Sequence, residues 1–301
     1  MDLVVRSKRI PAVGETILGG DFLMVPGGKG ANQAVAAAKL GAQVYFVARL
    51  GDDIFAEHSL VNFRKEGVDT RYVLQTPGVP SGIALIMVDE KGNNSIVVAP
   101  GANRRLSEKD VEAARADIAR SGAVVCQLEV PLETVAFAAK IADEVDVPFI
   151  LDPAPACRLG TDLLRLVDIL KPNETEASIL TGVKVQDEAS AYRACEKLLK
   201  GGVRTVILTM GSKGYLLADQ EGMEFVPGVK VRAVDSTAAG DAFTGSLAVG
   251  LAQGKSIAQA AWYANYAAAL SVTKMGAQPS MPTAKQVDEF VAGRKCKGKR
   301  R

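Results

Sequence analysis

The chain has 301 residues, 48% of them apolar and 23% charged, proportions that argue against a disordered or fibrous protein and suit one large α/β domain. Its formal charge of +2 averages two unlike parts: the stretch from Arg294 to Arg301 carries six bases and no acid, and the rest holds 30 bases against 34 acids, a net of −4. A basic face for nucleic acid or a membrane surface is therefore not expected on the fold. No apolar run approaches the roughly 18 residues of a membrane span. The start, Met1-Asp-Leu-Val-Val-Arg, lacks the basic and apolar regions of a secretory signal. The four cysteines, Cys126, Cys157, Cys195 and Cys296, are scattered without a C-x-x-C pair and read as reduced thiols of a cytoplasmic enzyme, with Cys296 exposed. The single histidine, His58, sits in a helical pattern and reads as a surface residue. Histidine-rich zinc sites are excluded, and the chemistry is expected to rest on carboxylates, lysines and backbone donors.

In chain order, residues 3–25 read as β-rich, and residues 31–40 as a helix opened by a glycine loop. Residues 82–98 are again β-rich, with Asp89-Glu-Lys-Gly-Asn-Asn as the turn of a hairpin. Strands are expected at 123–127, 148–151, 167–170 and Thr205–Thr209, and helices at Leu132–Glu144, 174–180 and 187–200. This alternation predicts βαβ units, a parallel sheet and helices on both of its faces. Three helices close the chain, at 240–253, 257–272 and 283–292. Two separated β-rich segments in an α/β chain suggest a small sheet standing off the main domain, placed to act as a lid.

Four segments can carry chemistry. Pro26-Gly-Gly-Lys-Gly-Ala-Asn-Gln33 puts three glycines within four residues at a helix start, where backbone N–H groups can approach a ligand. It is neither a Walker A loop, since Gly30 follows Lys29, nor a dinucleotide fingerprint, since Gln33 replaces the third glycine. A tight strand-to-helix turn explains it too, but Lys29 and Asn32 favour a polar ligand. Gly254-Lys255-Ser256 mimics the end of a Walker A motif; it lies between two helices and reads as a C-cap and restart.

Asp235-Ser-Thr-Ala-Ala-Gly-Asp241 precedes a long helix, so the N–H groups of Ala238, Ala239, Gly240 and Asp241 can converge as an anion hole backed by the helix dipole. Asp241 is either an N-cap or a base placed beside that hole, the layout that phosphoryl transfer requires. In Lys171-Pro-Asn173-Glu-Thr-Glu176, Asn173 and Glu176 share a helix face; Mg²⁺ ligation and helix capping both explain them. Thr209-Met-Gly211-Ser-Lys-Gly214 and Glu129 fall at the carboxyl ends of parallel strands, where open α/β sheets bind ligands.

Together these motifs resemble the ribokinase family of carbohydrate kinases, which also holds fructokinases and adenosine kinases. Gln127-Leu-Glu129, Asp152-Pro-Ala-Pro155 and Gly276-Ala-Gln-Pro-Ser280 add to the likeness, which runs from Asp2 to about Ala292. The resemblance implies a single catalytic domain over residues 1–301, a three-layer α/β/α fold with a mostly parallel central sheet and a β-sheet lid from about 3–25 and 82–98. It implies ATP-dependent phosphorylation of D-ribose at its primary 5-hydroxyl, giving ribose 5-phosphate and ADP, with Asp241 as general base and the amides of Ala238, Ala239 and Gly240 holding the developing charge. Asp2, Gly28, Lys29, Gly30, Ala31, Asn32 and Glu129 would grip the sugar. Asn173, Thr209, Met210, Gly211, Ser212, Lys213, Gly214, Gly240 and Asn265 would line the nucleotide site, with Asn173 and Glu176 near Mg²⁺. Asp235, Thr237, Ser271, Lys274, Gly276 and Ser280 would hold an activating K⁺, and the lid would also form a homodimer interface.

Members of that family open with a strand leading into Asn-x-Asp. Asp2 matches the aspartate, but the asparagine and the strand are absent, so a late start codon or a shortened gene model is expected. In the chain as written, two neighbouring strands would expose unpaired backbone. Ser236 replaces a usual threonine and Ala56 a common glycine. Alternatives are a kinase of deoxyribose, fructose or a nucleoside, or a non-catalytic sugar- or nucleotide-binding protein.

Overall fold

The computed structural model describes residues 1–298, and the side chains up to Arg294; the side chains of the basic tail beyond Arg294, that of Cys296 included, lie outside that description. The chain opens with β1 (Asp2–Arg6), β2 (Phe22–Val25), α1 (Lys29–Lys39), β3 (Ala48–Leu50), α2 (Ile54–Lys65) and β4 (Val73–Gln75). Next come β5 (Ile83–Val88), β6 (Asn94–Ala99), α3 (Glu108–Ala113), α4 (Arg115–Ile118), β7 (Val124–Cys126), α5 (Leu132–Glu144), β8 (Phe149–Leu151) and α6 (Thr161–Leu164). The remainder is β9 (Ile169–Leu170), α7 (Glu174–Thr181), α8 (Glu188–Lys200), β10 (Thr205–Thr209), β11 (Gly214–Ala218), β12 (Met223–Pro227), α9 (Ala239–Ala252), α10 (Ile257–Ser271) and α11 (Ala284–Gly298).

The main sheet has the order β12-β11-β10-β9-β8-β7, parallel from β7 to β10 and antiparallel beyond. Its central strands are apolar on both sides because both faces are covered. Phe149, Leu151, Leu170, Val206 and Leu208 point into a core shared with α5, α7 and α8. The alternate residues Ile150, Ile169 and Ile207 point into a second core with α9 and α10. This is the expected three-layer arrangement. The β3–β4 pair stands apart, and among the described residues no strand joins the free edge of β7 to β3.

The four-stranded sheet β2-β1-β5-β6 gathers strands from both β-rich segments. It is less continuous than expected: residues 7–21 hold no strand, and the sheet closes because β1 lies parallel to β5. Asp89 shapes the β5–β6 turn by accepting from the N–H groups of Lys91 (2.9 Å) and Asn93 (2.8 Å). Gly254 and Ser256 mark the helix stop and restart, Ser256 capping α10 in a reciprocal pair with Gln259. His58 is exposed on α2. Among the described residues no helix is long and apolar enough to cross a membrane.

Helix α9 positions the site, and its small residues decide where it lies. Phe243 packs edge-on against Tyr215 of β11, with ring centroids 5.5 Å apart, fixing the helix to the sheet. On its other side α1 passes so close that a Cβ at Gly245 would sit 2.7 Å from the Gln33 carbonyl oxygen and 2.8 Å from the Ala36 Cβ. Gly245→Val is expected to push α1 off α9 and destabilise the fold by about 1–3 kcal/mol, read as a lower denaturant midpoint.

Candidate active site

The parallel strands all end at one edge, and that edge carries the chemistry. β8 runs into Asp152, β9 into Lys171 and β10 into Met210, while Gln127 and Glu129 follow β7. Facing them are the N-termini of α1 and α9. The α1 loop lets the β1 carboxylate in: a Cβ at Gly27 would fall within 2.0–2.4 Å of the Asp2 carboxyl oxygens, so only glycine admits that approach. The Lys29 N–H donates to Glu129 Oε2 at 3.2 Å.

Asp241 lies in the first turn of α9 and is 5% exposed. It does not cap the helix. The cap position is Ala238, with left-handed backbone (φ 58°), and the carboxylate instead reaches α1. Asn32 Nδ2 donates to its Oδ2 at 2.9 Å, and Gln33 Nε2 to its Oδ1 at 3.0 Å. Gln33 Nε2 also donates to Asp152 Oδ2 at 2.8 Å, so one side-chain amide joins two carboxylates. Gln127 Nε2 fixes the orientation of Gln33 by donating to its Oε1 at 2.5 Å. Asp152 is paired with Lys171 at 3.1 Å, both almost fully buried, and the same ammonium donates to the Gly240 carbonyl oxygen at 3.4 Å.

Burial, with the charge of Asp152 behind it, pushes the Asp241 carboxyl above its ordinary range against the pull of Lys29 and the two amides. Burial likewise raises Glu129 and Asp2. For Lys29 burial works against the charge, but the carboxylates of Asp241, Asp152, Glu129 and Glu176 outweigh it and hold the ammonium above the usual lysine range. The pocket thus offers carboxylates that accept from hydroxyls, and a lysine and amides that donate to them.

The expected convergence of four amides at α9 is narrower in the structure. Ala239 commits its N–H to the Ser236 carbonyl oxygen at 3.2 Å, which leaves the amides of Ala238, Gly240 and Asp241 without a backbone partner. Gly240 is exposed, as a backbone surface meeting an anion must be.

Asn173 and Glu176 form a capping box: the Asn173 N–H donates to Glu176 Oε2 and the Glu176 N–H to Asn173 Oδ1, both at 2.8 Å. Burial raises the Glu176 carboxyl despite that donor. Asn173 lies beside Thr209 in a parallel bridge, which brings both to the same edge. Gly211, Ser212 and Lys213 form an exposed turn there, whereas Gly214 is buried in β11. Met210 departs from expectation: the residue is 2% exposed, its side chain packs into the core, and its backbone N–H and carbonyl oxygen are bonded to Gly214 and Lys213. Asn265 is turned to the Pro227 carbonyl oxygen at 3.0 Å.

The segment before α9 is tied to the one after α10. Asp235 accepts from the Thr237 N–H and hydroxyl (2.9 and 2.6 Å) and from the Gly276 N–H (2.8 Å). Burial opposes ionisation of Asp235, but those three donors hold its carboxyl below the usual range. Ser271 and Ser280 hydroxyls donate to the local carbonyls of Ala268 and Ala277. Lys274 is exposed. Among the described residues no cluster of three or more His, Cys, Asp or Glu side chains stands ready to hold a metal.

Sequence reasoning did not assign Gln33, Asp152, Lys171 or Gln278 to the site. Asp152 and Lys171 carried a signal, each following an apolar strand at the ligand-binding edge. Gln33 and Gln278 fall inside quoted motifs, but nothing local showed what they bond, because their side-chain partners are 94 or more positions away in sequence.

A carboxylate held ready beside open helix amides, among groups that bind hydroxyls, defines a site for phosphoryl transfer to an alcohol. The chain belongs to the pfkB family of carbohydrate kinases, whose family model matches residues 1–284. It is 45% identical over 290 residues to a ribokinase of Haemophilus influenzae, covering 96% of this chain and 95% of the relative. It is 39% identical over 293 residues to a deoxyribokinase of Salmonella typhi, covering 97% and 96%. The structure of Arabidopsis thaliana ribokinase complexed with ribose and ATP matches with a TM-score of 0.89 at 36% identity, covering 96% of this chain and 95% of that one. The fold is ribokinase-like, as the motifs implied.

Lys171→Met should cost about 3–5 kcal/mol, because it strands the buried Asp152 charge. Adding Asp152→Asn should restore part of that loss, as measured by chemical unfolding of the single and double variants.

Proposed function

We propose that this chain transfers the γ-phosphoryl group of ATP to the 5-hydroxyl of D-ribose. One observation carries the reading: the Asp241 carboxylate, oriented by Asn32 and Gln33, stands at the start of α9 beside the free amides of Gly240 and its own residue. Asp241 takes the hydroxyl proton as the sugar oxygen attacks the γ-phosphorus. The bond from phosphorus to the bridging oxygen breaks, and ADP leaves with that electron pair. The open N-terminus of α9, with Ala238, Ala239 and Gly240 around it, holds the charge that develops on the phosphoryl oxygens. Asp2, Lys29, Asn32 and Glu129, with the backbone of Gly28, Gly30 and Ala31, orient the sugar. Asn173, the 209–214 turn and the surroundings of Asn265 take the nucleotide. The relatives' names support ribose as acceptor, and the 39%-identical deoxyribokinase keeps 2-deoxyribose as the second reading.

Magnesium accompanies the nucleotide phosphates; the hard oxygens of Asn173 and Glu176 fit its vicinity, where its charge would offset that of the phosphates. Potassium is assigned to the segment around Asp235, a carboxylate kept ionised and tied to Thr237 and Gly276, with the oxygens of Ser271, Lys274 and Ser280 as its further ligands. The four-stranded sheet serves as lid and homodimer face. Its register puts Asp2, Ala84 and Val98 on one side and Leu3, Leu85 and Val97 on the other; in this reading the first side faces the sugar and the second a partner. Val97 is 62% and Phe22 63% exposed, apolar area that a second copy would cover. A cytosolic setting suits ATP and the free thiols of Cys126, Cys157 and Cys195.

ADP release from a sugar panel tests the reading. D-ribose should give the highest kcat/KM, with stimulation by K⁺ over Na⁺, and Asp241→Asn should lower kcat at least ~10²-fold. Wild-type turnover in that variant would remove Asp241 as base, and a preference for 2-deoxyribose would select the second reading.

A further inference from the structure

Asn32 does more than donate to Asp241. Its Oδ1 accepts from Gln278 Nε2 at 3.1 Å, and Gln278 Oε1 accepts from Asn62 Nδ2 at 2.6 Å. Three side-chain amides thus stand in series from α2 to α9, with every N–H directed toward the Asp241 carboxylate. Asn62 is half-buried on α2, whereas Gln278 is 2% and Asn32 5% exposed. A primary amide can turn over and exchange its oxygen for its nitrogen. If Asn32 did so, its oxygen would face the carboxylate and its NH₂ would face the Gln278 NH₂, two repulsive contacts in a buried site. Gln278 forbids that orientation, and Asn62 forbids the matching turn of Gln278.

The segment holding Gln278 is itself fixed from both ends. Lys39 Nζ, paired with Glu66 at 3.4 Å, donates to the Gln278 backbone oxygen at 2.9 Å. Two residues earlier, the Gly276 N–H is held by Asp235 at 2.8 Å. The middle member of the relay is therefore held in place by its backbone.

We propose that Gln278 is a positioning residue for the Asp241 base, acting through Asn32, with Asn62 setting the direction of the series. The inference rests on Asp241 being the base. An oriented donor stabilises the ionised carboxylate, and in a water-poor interior a chain of amides polarises each next member. Loss of that orientation should make Asp241 harder to ionise. The other charged groups facing Asp241 are Lys29 on α1, Asp152 after β8 with its partner Lys171, and Asp2 and Glu129 on the sugar side. None of them touches Gln278 or Asn62 in the relay, so their effect stays constant across the variants below.

The test compares ADP release with ribose and ATP across pH for wild type, Gln278→Met, Asn62→Ala, the double variant and Asp241→Asn, each checked for folding by thermal unfolding. Gln278→Met should lower kcat by up to roughly tenfold, the upper scale of one lost hydrogen bond between neutral groups, and move the acidic limb of kcat/KM to higher pH. Asn62→Ala should move it the same way by less, and should add nothing in the Gln278→Met background. A residue that only fills space would lower the melting temperature and leave the limb in place. Limbs coincident with wild type in the folded variants, or effects that multiply in the double variant, overturn the proposal. If Gln278→Met does not fold, the limb of Asn62→Ala decides alone. The two readings fail separately: wild-type turnover in Asp241→Asn sinks the base, whereas an inactive Asp241→Asn with unmoved limbs sinks only the relay.

Discussion

The structure is organised around one unfavourable act, the burial of the Asp241 carboxylate between two helices. Removing an ion of this size from water costs several kcal/mol even in a relaxed protein. Its two amide donors, Asn32 and Gln33, each return about 1.5–3 kcal/mol as hydrogen bonds to a charged group. Both lie on α1, so the carboxylate is tolerable only while α1 and α9 stay close. That approach depends on small side chains: Gly245 meets the Gln33 backbone, and Ala34, Val35 and Ala36 of α1 are buried. The buried carboxylate and the helix contact that keeps it tolerable are therefore one structural feature.

The sheet supplies what the helix pair lacks. Asp152 and Lys171 leave adjacent parallel strands at the same edge and form a buried ion pair, which reaches Asp241 through Gln33 and the α9 backbone through the Gly240 carbonyl oxygen. The strands, packed on both faces, hold these side chains in place. The four-stranded sheet and the exposed 211–213 turn are less buried than this core.

Much of this could be read before any coordinates. Long, strongly periodic segments were legible to the residue or nearly so: Leu132–Glu144 and Thr205–Thr209 have the expected limits. The short strands Ala48–Leu50 and Val73–Gln75 were not, since three residues carry no period. Asp241 was legible as a carboxylate beside small residues, but a carboxylate that caps its helix and one that reaches another helix have the same local sequence. Only the partners on α1, more than 200 positions away, separate them. Asn173 and Glu176 show the converse: the capping box is local and the spacing of three announced it. Gln278 lay inside a quoted motif, but its side-chain contacts were not legible because its partners, Asn32 and Asn62, are distant in sequence.

The most direct measurement of the central claim is the pH dependence of kcat/KM for ribose in the unmodified chain, which reports ionisation of the free enzyme's base. Burial raises the Asp241 carboxyl, so the base is ionised above that raised value and lost as pH falls through it. The account predicts an acidic limb of unit slope, centred above the range of an exposed aspartate. A profile that stays flat down to the ordinary aspartate range would contradict a buried Asp241 as the group that accepts the proton.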